Sequence, residues 1–112
     1  MDLVITARHF KLSSQLSELV NEKVSKVSKF TYDITRCEVI LTKENSYENV
    51  EIIGHVKGHD LIVNESSEKL EKSLMAAVEK LIIQAKKHHD KLMRKVKNHN
   101  QKDIDLESNE IE

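Results

Sequence analysis

A chain of 112 residues has room for one hydrophobic core, and so for one domain. Aromatic residues make up 4% and there is no Trp or Pro, so the core has to be built from Leu, Ile and Val; the one cysteine, Cys37, excludes an internal disulfide and any CxxC zinc or redox pair. The formal charge of −1 conceals an asymmetry: Asp103, Asp105, Glu107, Glu110 and Glu112 sit without a base at the end of the chain, leaving residues 1–102 with 18 Lys and Arg against 14 acids.

The opening "MDLVITARHF" has neither a basic leader nor a long apolar run, and no later stretch approaches the ~18 apolar residues of a membrane span, which points to a cytoplasmic protein. In "LVITAR", Leu3, Ile5 and Ala7 alternate with Val4, Thr6 and Arg8, the period of a strand with one buried face. Ser13 and Ser14 are N-cap types, and Leu16, Val20, Val24 and Val27 then recur at helical spacing as far as Phe30, with Lys23, Lys26 and Lys29 on the wetter side. A second strand follows in "RCEVILTK", where Cys37 is expected as a small core residue, and a third in "NVEIIGHV" beyond the polar loop "KENSYEN". Gly58 marks a turn into a short fourth strand, "LIVNE", so the last three strands form an antiparallel meander. From Ser66 or Ser67 onward, Leu70, Leu74, Val78, Leu81, Ala85, Leu92 and Val96 keep a helical period over about thirty residues. The order β-α-β-β-β-α predicts an α+β sandwich, a four-stranded sheet with two helices on one face, over residues 1–100; residues 101–112 read as an acidic, disordered tail.

Few chemistries fit these residues. His88 and His89 are neighbours on a helix, rotated by roughly 100°, and neither has a ligand type at i+4, so they are not expected to share an ion. His55 and His59, with Asp60 nearby, are better spaced, but no further ligand is evident and exposed hairpin histidines are the simpler reading. There is no nucleophile elbow, and two glycines cannot make a phosphate-binding loop, so no enzymatic activity, cofactor, metal or small-molecule substrate is expected.

The basic residues of the last helix have a geometry of their own. At about 100° per residue, Lys80, Lys87, Lys91 and Arg94 fall within roughly 60° of one another and well away from the apolar stripe. Almost no Glu alternates with the lysines between 80 and 97, so i,i+4 pairing does not account for the run, and Lys23, Lys26 and Lys29 supply a second row. Flexible lysines suit a phosphate backbone, and the scarcity of aromatics argues against stacking on single-stranded bases. The expected partner is therefore RNA bound by shape and charge.

At this point a family resemblance appears. "LVITARHFKLSSQLSELVNEKVSKVSKF" resembles the opening of the ribosome hibernation promoting factor and ribosome-associated inhibitor family, through Leu12, Ser13, Leu16, Val20, Lys23, Val24, Lys26, Val27 and Phe30. "HVKGHDLIVNE" is similar to that family's hairpin around Gly58, and "EKLIIQAKKHHDKL" to its basic helix through Glu79, Lys80, Leu81, Gln84, Lys87, Asp90, Lys91 and Leu92. Two departures stand out: "KLEKSLM" at Lys69 to Met75 replaces the family's signature at the start of the last helix, and Ile83 stands where the family has an arginine. The resemblance implies a β-α-β-β-β-α domain that sits in the mRNA and tRNA channel of the small ribosomal subunit and blocks translation under stress. It also implies a short form, monomeric off the ribosome, whose acidic tail resembles the inhibitor type. Arg8, Lys23, Lys26, Lys29, Lys80, Lys87, Lys91, Arg94 and Lys95 are the candidate rRNA-binding residues. The alternative, suggested by a name once attached to the family, is a regulatory module acting on a transcription sigma factor.

Overall fold

A computed structural model describes residues 1–30 and 33–101, with side chains as far as Lys91. The element order is β1 (Asp2–Arg8), α1 (Ser14–Ser25), a 3-10 turn (Lys26–Lys29), β2 (Arg36–Lys43), β3 (Glu48–Val56), β4 (His59–Ser67) and α2 (Leu70–Gln101). The strands form one sheet in chain order, with β1 parallel to β2 and the other two pairings antiparallel. The sheet is thus mixed: α1 is the crossover that a parallel neighbour requires, and the meander expected from the sequence follows it.

Strand alternation decides which side of the sheet is covered. Cys37, Val39 and Leu41 of β2, Val50, Ile52 and Val56 of β3, and Leu61 and Val63 of β4 are buried with Val20, Val24 and Val27 below α1 and Leu70, Leu74, Ala77, Val78, Leu81 and Ala85 of α2. Both helices therefore lie on one face, the α+β sandwich read from the pattern. Leu92 and Val96 of the expected stripe lie beyond the described side chains. Residues 102–112, which hold the acidic stretch, lie outside the described residues.

Two junctions sharpen the sequence reading. Ser13 caps α1 as expected, its Oγ accepting from the Leu16 N–H at 3.1 Å. α2 does not begin at Ser66 or Ser67, because both residues belong to β4. Its first turn is capped from across the sheet instead: the Leu70 N–H donates to Glu48 Oε1 of β3 at 2.6 Å. Buried Ser73 donates to the Glu48 carbonyl at 2.6 Å and lies 2.7 Å from Ser67 Oγ, so one small hydroxyl cluster joins α2, β3 and β4. Cys37 is wholly buried with its sulfur 3.6 Å from that of Met1, and burial pushes its thiol up to about 11, so it is the inert core residue expected.

In the β3–β4 turn, Gly58 has φ +96°, a left-handed conformation that glycine adopts without the steric penalty of a Cβ. That turn sets Val56 opposite His59 and His55 opposite Asp60, a register that governs the histidines below.

Candidate nucleic-acid interface

The helix layer carries the charge that the sequence assigned to it. Lys26 and Lys29 at the end of α1 and Lys87 and Lys91 on α2 are exposed, and Lys23 is half-buried beside the α1 stripe. Valines at 20, 24 and 27 point inward, and the same helical spacing turns these lysines away from the sheet. Arg94 and Lys95 belong to α2, but their side chains lie outside the described residues.

Two of the expected residues stand apart from this group. Lys80 is ion-paired with Glu65 of β4, a carboxylate only one-fifth exposed. Sequence spacing could exclude i,i+4 partners along α2, but it could not show a partner on the adjacent strand. The pairing also orients the lysine ridge, whose first member leans over the β4 flank, while the exposed positions Glu79, Ile83 and Asp90 lie between it and the other flank of the helix. Arg8 lies at the end of β1 on the opposite side of the sheet, lining a shallow depression with Ile40, Thr42, Tyr47 and Glu51. The structure therefore separates it from the helix lysines. One contact absent from the expected set joins the two basic elements: the Lys86 amine sits 4.9 Å above the Phe30 ring, linking α2 to the end of the 3-10 turn. The only signal for it in the sequence is Phe30 itself, an aromatic closing a lysine-rich helix.

The histidines are less passive than their sequence positions suggested. His88 and His89 both approach the same carboxylate, with His88 Nε2 4.0 Å and His89 Nδ1 3.8 Å from Asp33 Oδ2. Their 100° offset on α2 is bridged because Asp33 lies in the segment leading into β2, between the two rings. The side chain of His88 is only 12% exposed, and its ring also meets His59 edge-on at 5.0 Å. His55 and His59 do not converge: the β3–β4 register puts them on opposite faces of the hairpin. His55 lies on the open face, with Nε2 2.5 Å from Glu38 and Nδ1 2.9 Å from Asp60, one-third exposed rather than free in solvent. The hydrogen bond to Glu38 and then that to Asp60 raise its pKa above the ordinary 6.5. Among the described residues no group of three His, Cys, Asp or Glu side chains is arranged to hold a metal ion.

What remains on the helix side is a basic surface. Comparison with known proteins gives that surface a context. The profile of the family described as sigma 54 modulation protein / S30EA ribosomal protein matches residues 3–93. The chain belongs to that family. Curated relatives include the ribosome hibernation promoting factor of Pseudomonas putida, 29% identical over 91 residues that span 81% of this chain and 89% of that protein. The factor of the same name from Azotobacter vinelandii is 28% identical over 91 residues, spanning 81% of this chain and 85% of its own. Two solved structures share the fold of the family domain at 19% identity. The N-terminal domain of Thermus thermophilus Protein Y superposes with a TM-score of 0.73, covering 79% of this chain and 99% of its own. A ribosomal subunit interface protein from Coxiella burnetii gives 0.75, covering 80% and 99%. In the segment Lys69 to Met75, Leu70, Ser73 and Leu74 are buried, whereas Ile83 further along α2 is exposed.

Proposed function

We propose that this protein is a non-enzymatic ribosome hibernation factor: it binds the small ribosomal subunit in the mRNA and tRNA channel, meets rRNA phosphates through the lysines of its helix layer, and blocks translation under stress. The observation that carries this reading is the coincidence of two things on one chain. Its family is described in part as a ribosomal protein and its curated relatives bear ribosome hibernation names, and its helix layer presents Lys23, Lys26, Lys29, Lys87 and Lys91. Lysines reach phosphate oxygens as flexible point charges and do not read sequence, which suits an rRNA groove recognised by shape. Among the described residues no helix is long and apolar enough to cross a membrane.

Lys87 and Lys91 are exposed and lie off the apolar stripe, so changing both to Glu leaves the fold intact while turning two attractive charges repulsive. Co-sedimentation of the Lys87→Glu/Lys91→Glu protein with purified small subunits is expected to fall by roughly a hundredfold in affinity, on the order of 1 to 2 kcal/mol for each reversal. Wild-type sedimentation by a folded double variant would overturn the proposal. The family's description as a sigma 54 modulation protein favours a second reading, a regulatory module acting on a transcription sigma factor. Recovery of polymerase components, and no rRNA, from a ribosome-depleted extract would select it.

A further inference from the structure

The sheet face opposite the helices carries none of the lysines on which the proposed function rests. Ile53 of β3 sits directly opposite Ile62 of β4, Val4 of β1 shares their cross-strand row through Glu38, and Ile40 of β2 lies diagonal to both Val4 and Ile53. These four side chains make an apolar stripe across all four strands. Val4 is 40% and Ile62 54% exposed, with Ile40 and Ile53 half-buried between them. Isolated exposed aliphatics are ordinary, but a contiguous stripe edged by polar groups is the pattern of an interaction surface.

The edges of the stripe specify the partner. Glu38 stands in the row between Val4 and Ile53, Asp60 lies one row to the side opposite His55, and Glu51 lies on the other side opposite Ile40; with Asp2, they give this face four carboxylates against the two guanidinium groups of Arg8 and Arg36. That sign repels the phosphates of nucleic acids and anionic lipid, the reverse of the helix layer. It complements apolar side chains flanked by Lys or Arg. We propose that the open sheet face docks a basic amphipathic protein segment, whose apolar side chains cover Val4, Ile40, Ile53 and Ile62 while its cations meet Glu38, Glu51 and Asp60. His55 modulates the site from within, because its imidazole already bridges Glu38 and Asp60, with Arg36 as its cross-strand neighbour on β2. Protonated, it donates to both carboxylates and neutralises part of the acidic edge; deprotonated, it keeps one N–H and leaves the other carboxylate to an incoming cation.

The probe is a short synthetic peptide of alternating leucine and lysine, titrated into the full-length, nitrogen-15-labelled protein and followed by amide chemical shifts. The expected result is saturable perturbation centred on Val4, Ile40, Ile53 and Ile62, with binding that tightens from pH 6 to pH 8. Affinity is expected to be about tenfold weaker in each of Ile62→Lys and Glu51→Lys, one stripe and one edge position. Should Ile62→Lys lose its dispersed spectrum, Ile62→Ala serves in its place. Several outcomes overturn the proposal: perturbations on the helix layer, equal binding by a leucine–glutamate peptide, indifference to both substitutions, or displacement of the peptide by single-stranded polyuridylate. Concentration-dependent shifts in the protein alone would assign the face to a second copy of this chain, and would equally refute it. Each readout is independent of ribosome binding, so the docking surface and the rRNA reading fail separately.

Discussion

At His55 both ring nitrogens face carboxylates, so the imidazolium, which donates from both, is the form this site favours. Its folded pKa lies above the unfolded 6.5, so the stability it contributes is fully present below that value and is lost as pH rises through the folded pKa. His55→Gln is therefore expected to lower the urea midpoint most near pH 5.5 to 6, with the gap to wild type narrowing toward pH 9. A gap constant with pH would show that the ring acts only by packing. Lys80 makes a complementary point. Its charge was legible in the sequence, but its pairing with Glu65 was not, because fifteen positions separate the two and only the fold makes them neighbours. Lys80 is itself exposed but its amine is paired with Glu65, so the proposed phosphate contact is tested at Lys87 and Lys91.

At the scale of elements, the periodicities were enough to place every strand and helix, because alternating and 3.6-residue patterns each leave only one way to bury the Val, Ile and Leu side chains. The start of α2 was less legible. Ser66 and Ser67 have N-cap chemistry, but they continue the ladder of β4 opposite Asn49 and Glu48, and the cap comes from a residue more than twenty positions earlier. A local motif could not reveal a tertiary cap. Ser73 is the other polar residue at this junction, fully surrounded by the core, and its hydroxyl supplies the Glu48 carbonyl with a donor. Ser73→Ala leaves that carbonyl without it and is expected to cost about 1 to 3 kcal/mol in denaturant unfolding. Because the cluster lies at the start of α2, well before Lys87 and Lys91, small-subunit binding by the folded variant should be unchanged; a loss of binding at unchanged stability would contradict this assignment.

The whole molecule is two-sided. Its helix layer is basic and its open sheet face is mildly acidic with an apolar stripe, a division hidden by the formal charge of −1. Sequence spacing identified the basic layer because a lysine's face on a helix follows from its number. It gave no weight to the sheet's outer side, since the apolar diagonal of Val4, Ile40, Ile53 and Ile62 exists only once the register of three strand pairs is fixed. It also placed Arg8 with the lysines, although strand alternation sends that side chain to the other face. On the proposed function the helix layer grips phosphate, and such binding releases counterions in proportion to the phosphates neutralised. The most direct measurement is the affinity for purified small subunits across a salt series, for wild type and for Lys87→Glu/Lys91→Glu. Wild-type affinity should fall linearly on a log–log plot as salt rises, and the variant should bind more weakly with a shallower slope, whereas salt-insensitive binding, or coincident lines for the two proteins, would contradict the claim.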